Sequence, residues 1–204
     1  MLEITATKVY DLAEAVVASG FPMLSVYEEE KFTDNVISTG YGVCSECTCL
    51  KNEHFNRAVK LASAPDGSGH RTFLSGILVC MNITATVKWW VQFGRYHFQQ
   101  IDSSMSTMHR LKKMSSLGTI RFHEKTDKRC VELLERLVQE GADDETIIYS
   151  CPSGLELTAR VNTNYLQLRT MYVQRHNHKL QEWKAFCEWI EKLPFAEQFI
   201  IHKR

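Results

Sequence analysis

With 204 residues, 44% of them hydrophobic, the chain has enough apolar material for a full core, and its length predicts a single domain spanning residues 1–204. Lys+Arg and Asp+Glu both number 24, so the formal charge is zero, and no overall positive field draws the chain onto nucleic acid or an anionic membrane. No apolar run approaches the roughly 18 to 20 residues that span a bilayer, and Met1–Thr7 lacks a basic segment followed by an apolar one. The seven cysteines are odd in number and, outside Cys44, Cys47 and Cys49, scattered singly, which suits reduced thiols and a cytoplasmic protein.

Taken in chain order, Leu12, Val16 and Val17 fall at helical spacing, and Gly20 is read as a left-handed stop, predicting a helix over 8–19. Lys31 to Lys51 is rich in Gly, Ser, Thr and Cys without a period, and reads as a loop or irregular hairpin. Asn52 is a candidate N-cap for a helix carrying Phe55, Val59 and Ala62, which the Ser63–Gly69 run ends. From Phe73 to Thr86 the chain is apolar and β-branched, as a buried strand would be; from Val87 the spacing of Trp89, Trp90 and Phe93 turns helical. Asp127 can cap a helix with Val131, Leu134, Leu137 and Val138 inward and Gly141 at its end. Two more helices are expected after Pro152, about 161–174 and 179–192. The second carries Trp183, Phe186 and Ile190 on one side and stops at Pro194. The sequence contains no internal repeat.

The densest polar and aromatic stretch runs from Lys88 to Arg110. Arginine offers a planar fork of donors matched to phosphate, serine and threonine add neutral donors, and glutamine can pair with an amide edge such as that of a pyrimidine. Such a set suits a nucleotide; the alternative is a solvated helix face. Within it Ser103, Ser106 and Arg110 fall at i, i+3, i+7, the spacing of one side of a helix, with His109 beside them. Separately, Cys44-x-x-Cys47-x-Cys49 with His54 could supply four zinc ligands. The two well-separated ligand pairs of a full site are missing, however, so plain thiols and no metal are expected.

Several of these segments together resemble the flavin-dependent thymidylate synthase (ThyX) family. Gln92 stands three residues before Arg95, as Gln does before the family's Arg-His-Arg signature, and His70-Arg-Thr72 precedes an apolar strand, as the family's flavin-contacting His and Thr do. Asn164, Leu168, Met171 and Arg175, then Gln181-Glu-Trp183, follow the family's second motif, with Arg175 and Gln181 at its separation. The chain departs from the pattern at Tyr96 and His97, which replace the signature's His and second Arg. It departs again at Met105, Thr107 and Leu166-Gln167.

The resemblance implies an α/β (α+β) fold with a mainly antiparallel sheet flanked by helices, and a homotetramer whose active sites are shared between subunits. It implies conversion of dUMP to dTMP, with FAD taking hydride from NADPH and methylenetetrahydrofolate giving the one-carbon unit. His70, Thr72, Arg95, His97, Arg175, Lys179 and Gln181 would then contact FAD, and Gln92, Arg95, Ser104, Ser106 and Arg110 would contact dUMP. Arg95, Ser106 and Lys184, the last in place of a family arginine, would carry the catalytic roles. The altered signature leaves two alternatives: a flavin-dependent hydroxymethylase of pyrimidine nucleotides, and a non-catalytic paralogue that binds flavin or nucleotide.

Overall fold

The structure, a computed structural model, describes residues 2–39, 53–65, 67–107, 111 and 120–201. Four strands, β1 (Glu3–Tyr10), β2 (Leu78–Thr86), β3 (Gln100–Ser104) and β4 (Glu156–Asn164), form one antiparallel sheet in the order β1-β2-β4-β3. The helices among the described residues are α1 (Leu12–Ala18), α2 (Glu29–Thr39), α3 (Glu53–Ala62), α4 (Val87–Phe93), α5 (Lys128–Gln139), α6 (Asp144–Tyr149), α7 (Tyr165–Arg175), α8 (Gln181–Ile190) and α9 (Ala196–Phe199). The expected fold class is the one observed.

Contacts divide the chain into two compact units, one of residues 1–6 and 81–161, the other of 7–80 and 162–204. In the first unit, Leu111, Leu134, Ile147 and Leu155 form a buried cluster that Ile120, Phe122, Leu137 and Ile148 extend. Trp89 and Phe93 stack at 4.7 Å beside each other on α4, whose N-terminus Thr86 caps by accepting from the Trp89 amide. In the second unit, Phe55 on α3 meets Phe195 and Phe199 at 4.7 and 5.4 Å. The Tyr165 hydroxyl donates to the Pro194 carbonyl at 2.7 Å. Arg169, only 6% exposed, donates to the Phe199 carbonyl at 3.1 Å and so ties α7 to the C-terminal segment. Its burial, and then the nearby Arg71, lower its pKa.

Several expectations are corrected. The helix read over 8–19 is strand up to Tyr10. The chain turns at Asp11, whose left-handed φ of 57° a short polar side chain tolerates, and only then enters α1. Gly20 is right-handed, at φ −93°, and the Arg57 guanidinium packs close to it, 2.5 Å from where a Cβ would stand. Part of the segment read as a loop is helix α2. Its residues are mostly exposed, so no apolar stripe marked it, and the signal was Glu29 and Glu30 in its first turn. The strand expected from Phe73 begins at Leu78, after a 3-10 turn over Thr72–Gly76.

The helix expected from 161 starts at 165. Val161 and Thr163 are buried residues of β4, and Asn164 is the N-cap, accepting from the Gln167 amide at 2.9 Å. Ser103 and Ser104 belong to strand β3 and Ser106 follows it, so the helical alignment of Ser103, Ser106 and Arg110 does not hold. Arg110, His109, Asn52 and Cys44, Cys47 and Cys49 lie outside the described residues.

Asp127 caps α5 as expected, and Gly141 past its end takes φ 74°, a left-handed turn that favours glycine. Asp143 caps α6 by accepting from the Thr146 amide at 2.9 Å and the Thr146 hydroxyl at 2.7 Å, and these bonds hold its carboxyl below the usual 3.8. A depressed folded pKa means the cap contributes stability above the unfolded value and loses it as pH falls through the folded one. Asp143→Ala is therefore expected to lower the thermal midpoint at neutral pH, with the gap to the parent closing on acidification below about pH 4. Melting curves across that range check it.

Candidate functional site

In the second unit the residues assigned to flavin lie on two neighbouring segments of chain. Thr72 opens the 3-10 turn and donates from its hydroxyl to the Gly69 carbonyl at 2.6 Å, which fixes its χ1; His70 stands exposed just before it. Arg175 occupies the last turn of α7, where the helix dipole favours a cation. Its guanidinium lies 4.7 Å above the ring of fully buried Trp183, so the indole of α8 seats it by a cation–π contact. His178, in the α7–α8 connection, meets the same indole at 6.3 Å and accepts from the Leu180 amide at 3.1 Å. Partial burial, and then the Arg175 charge, lower its pKa, so at neutral pH it is an uncharged acceptor.

Lys179, Gln181 and Lys184 are exposed, and their side chains make no hydrogen bond or ion pair among the described residues. The donor set of this unit fits a flavin dinucleotide. Arg175 and Lys179 bring two positive charges for a pyrophosphate, and Thr72, His70 and Gln181 bring neutral donors and acceptors for sugar and ring edges.

In the first unit, Gln92 lies in the last turn of α4. Arg95 follows the Gly94 C-cap, its amide donating to the Gln92 carbonyl at 3.4 Å. The Arg95 and His97 side chains are exposed and bonded to no other group among the described residues. Ser104 ends β3. Ser106 and Thr107 open onto a cavity of about 110 Å³ between the β3 end and β4, walled by Thr84, Met105, Leu111, Ile120, Arg121 and Leu155–Thr158. Inside it the Thr84 and Thr158 hydroxyls bond each other at 2.7 Å. Glu156, its side chain 3% exposed, faces Arg121 at 3.4 Å, and Arg121 also reaches Glu3 at 3.3 Å. Two carboxylates thus offset the one guanidinium, so the cavity suits a neutral, hydrogen-bonding group better than a phosphate.

Thr84, Arg121, Glu156 and Thr158 were not singled out from the sequence. Alternation along β4 gave no signal for Glu156, which falls out of phase with the buried Ala159, Val161 and Thr163. Of the proposed zinc set, only His54 is described. It bonds Arg57 at 3.0 Å, and among the described residues no cluster of His, Cys, Asp and Glu could hold a metal.

No protein-family profile matches the chain, and no curated protein matches it in sequence. Solved structures do match along nearly its whole length. A thymidylate synthase ThyX from Helicobacter pylori with FAD and dUMP superposes with TM-score 0.68 at 13% identity, covering 97% of each chain. A second structure of that enzyme with the same ligands gives 0.64 at 12% identity, over 98% of this chain and 97% of the other. The fold is that of a flavin-dependent thymidylate synthase. A UMP/dUMP methylase, PolB from Streptomyces cacaoi bound with 5-Br dUMP, also matches, with TM-score 0.59 at 13% identity over 98% of this chain and 94% of its own. Among the described residues no helix is long and apolar enough to cross a membrane.

Proposed function

We propose that the chain is a divergent flavin-dependent thymidylate synthase that converts dUMP to dTMP with methylenetetrahydrofolate and NADPH, working in the cytoplasm as a homotetramer with shared active sites. The observation that carries this reading is the superposition, over 97% of the chain, on an enzyme holding both FAD and dUMP. Among the described residues that the resemblance assigns to those two ligands, His70, Thr72, Arg95, His97, Ser104, Ser106, Lys179 and Gln181 are exposed and Gln92 and Arg175 partly so, which supports it further.

FAD, when bound, supplies the hydride transfer that the one-carbon chemistry requires. The chain's own residues bind and orient. Arg175, held by Trp183, and Lys179 neutralise the flavin's phosphates, while His70, Thr72 and Gln181 fix its edges. His97 adds a further flavin contact. Gln92 pairs with the amide edge of the pyrimidine, and Arg95 stabilises negative charge developing on the ring. Ser104, Ser106 and Arg110 hold the nucleotide, and Lys184 stands in for a family arginine with a point charge rather than a fork.

Purified protein is expected to be yellow or to turn yellow on adding FAD. NADPH oxidation should then depend on dUMP and the folate, and the product should have the mass of dTMP. Ser106→Ala should raise KM for dUMP several-fold with little change in flavin uptake, because one neutral hydrogen bond is lost. A protein that takes up no flavin ends this reading. A product heavier than dTMP by one oxygen would instead assign the hydroxymethylase chemistry that the changes at Tyr96, His97 and Met105 motivate.

A further inference from the structure

The second unit contains a cavity that none of these roles uses. It measures about 120 Å³ and lies between the end of α1, the 3-10 turn Phe21–Met23, α2 and α3. Three aromatic rings wall it: Phe21, Tyr27 and Phe32, with centroids 5.7 to 6.3 Å apart. Phe21 and Tyr27 remain 42% and 57% exposed, so they have not been drawn into the core.

Its polar wall is Arg57. One nitrogen of the guanidinium, Nη2, donates to the Val17 carbonyl at 3.2 Å and contacts His54 Nδ1 at 3.0 Å, while Nε is buried without a hydrogen-bond partner among the described residues. The guanidinium packs against Gly20, where a Cβ would come within 2.5 Å of it. Lys31 and Glu28 at the rim pair with each other at 2.6 Å and cancel. His54 is held neutral by burial and then by Arg57, so it adds no charge. The acidic group that acts on Arg57 is Glu53, an exposed neighbour on the same helix that does not line the cavity. The cavity therefore presents aromatic faces and one positive charge that no carboxylate touches among the described residues. Arg57 is half-buried, and a partly desolvated charge is stabilised when an anion completes it.

From this geometry we infer that the cavity is a binding site for a small aromatic carboxylate, its ring packed among Phe21, Tyr27 and Phe32 and its carboxylate paired with Arg57. The volume is of the order of a cavity known to hold benzene, about 150 Å³. A paired guanidinium and carboxylate add both charge and direction to that contact. The inference is independent of the proposed activity, since none of these residues is assigned to FAD or dUMP.

Isothermal titration of the full chain with benzoate tests it. Benzoate should bind, the neutral isostere benzamide should bind about tenfold or more weakly, and Arg57→Met, which keeps the aliphatic stem, should remove that preference. Tyr27→Ala, at an exposed position where folding should not suffer, should also weaken benzoate several-fold. Benzoate should bind equally to FAD-loaded protein. Absence of binding, equal affinity for benzamide, or displacement by FAD would each overturn the assignment, the last by giving the cavity to the flavin.

Discussion

Arg95→Ala is expected to reduce kcat/KM for dTMP formation by about 100-fold or more, the scale seen when a single donor that stabilises transition-state charge is removed. The same change should leave the thermal midpoint within about a degree or two, because the side chain is exposed and contacts no other group among the described residues. Its position is set by the backbone: α4 ends at Phe93, Gly94 closes the helix, and the Arg95 amide still bonds the Gln92 carbonyl, so truncation at Cβ leaves that turn intact. Arg95→Lys should recover only part of the rate, since an ammonium keeps the charge and loses the planar fork. Turnover measured beside a melting curve separates the cases. Activity within a few-fold of the parent would remove Arg95 from the catalytic role; loss of activity together with stability would make it structural.

How far the sequence carried depends on what physical signal each element left in it. α5 behind Asp127 was legible because periodicity and cap agree, and α8 because Trp183, Phe186 and Ile190 form a buried stripe, although no side chain caps it. β1 was not, since most of its residues are exposed and its Val9 runs on into Leu12 and Val16 of α1 without a break that a left-handed Asp11 would announce. The β4–α7 junction was hidden for another reason: Val161 and Thr163 face the core at period two, yet Val161 also falls at i, i+4, i+7 with Tyr165 and Leu168, as a helix would have it. For the site, Arg175 and Gln181 were singled out by the family resemblance, at the family's separation. The indole that seats Arg175 was read as core alone, because sequence cannot show that the face of a buried ring is also a cation's platform.

Trp183 joins the two concerns, and its removal carries the largest stability effect expected in the second unit. Trp183→Ala should cost about 3–5 kcal/mol, as deletion of a fully buried tryptophan does when its surroundings cannot close the gap. Phe186 at 5.6 Å edge-on and His178 at 6.3 Å border the space that would open, and both are fixed in place by α8 and by the Leu180 amide. A urea titration with an unchanged m-value measures this loss. The more informative change is Trp183→Phe, which keeps an aromatic core and weakens the contact under Arg175, since phenylalanine is a poorer cation–π partner than tryptophan. If the indole serves only the core, Trp183→Phe should reduce stability and leave FAD affinity untouched. If it also seats Arg175 for the flavin, FAD affinity should fall several-fold in Trp183→Phe and further in Arg175→Ala. The double variant should then be no weaker than Arg175→Ala alone, because without the guanidinium the ring has nothing left to position.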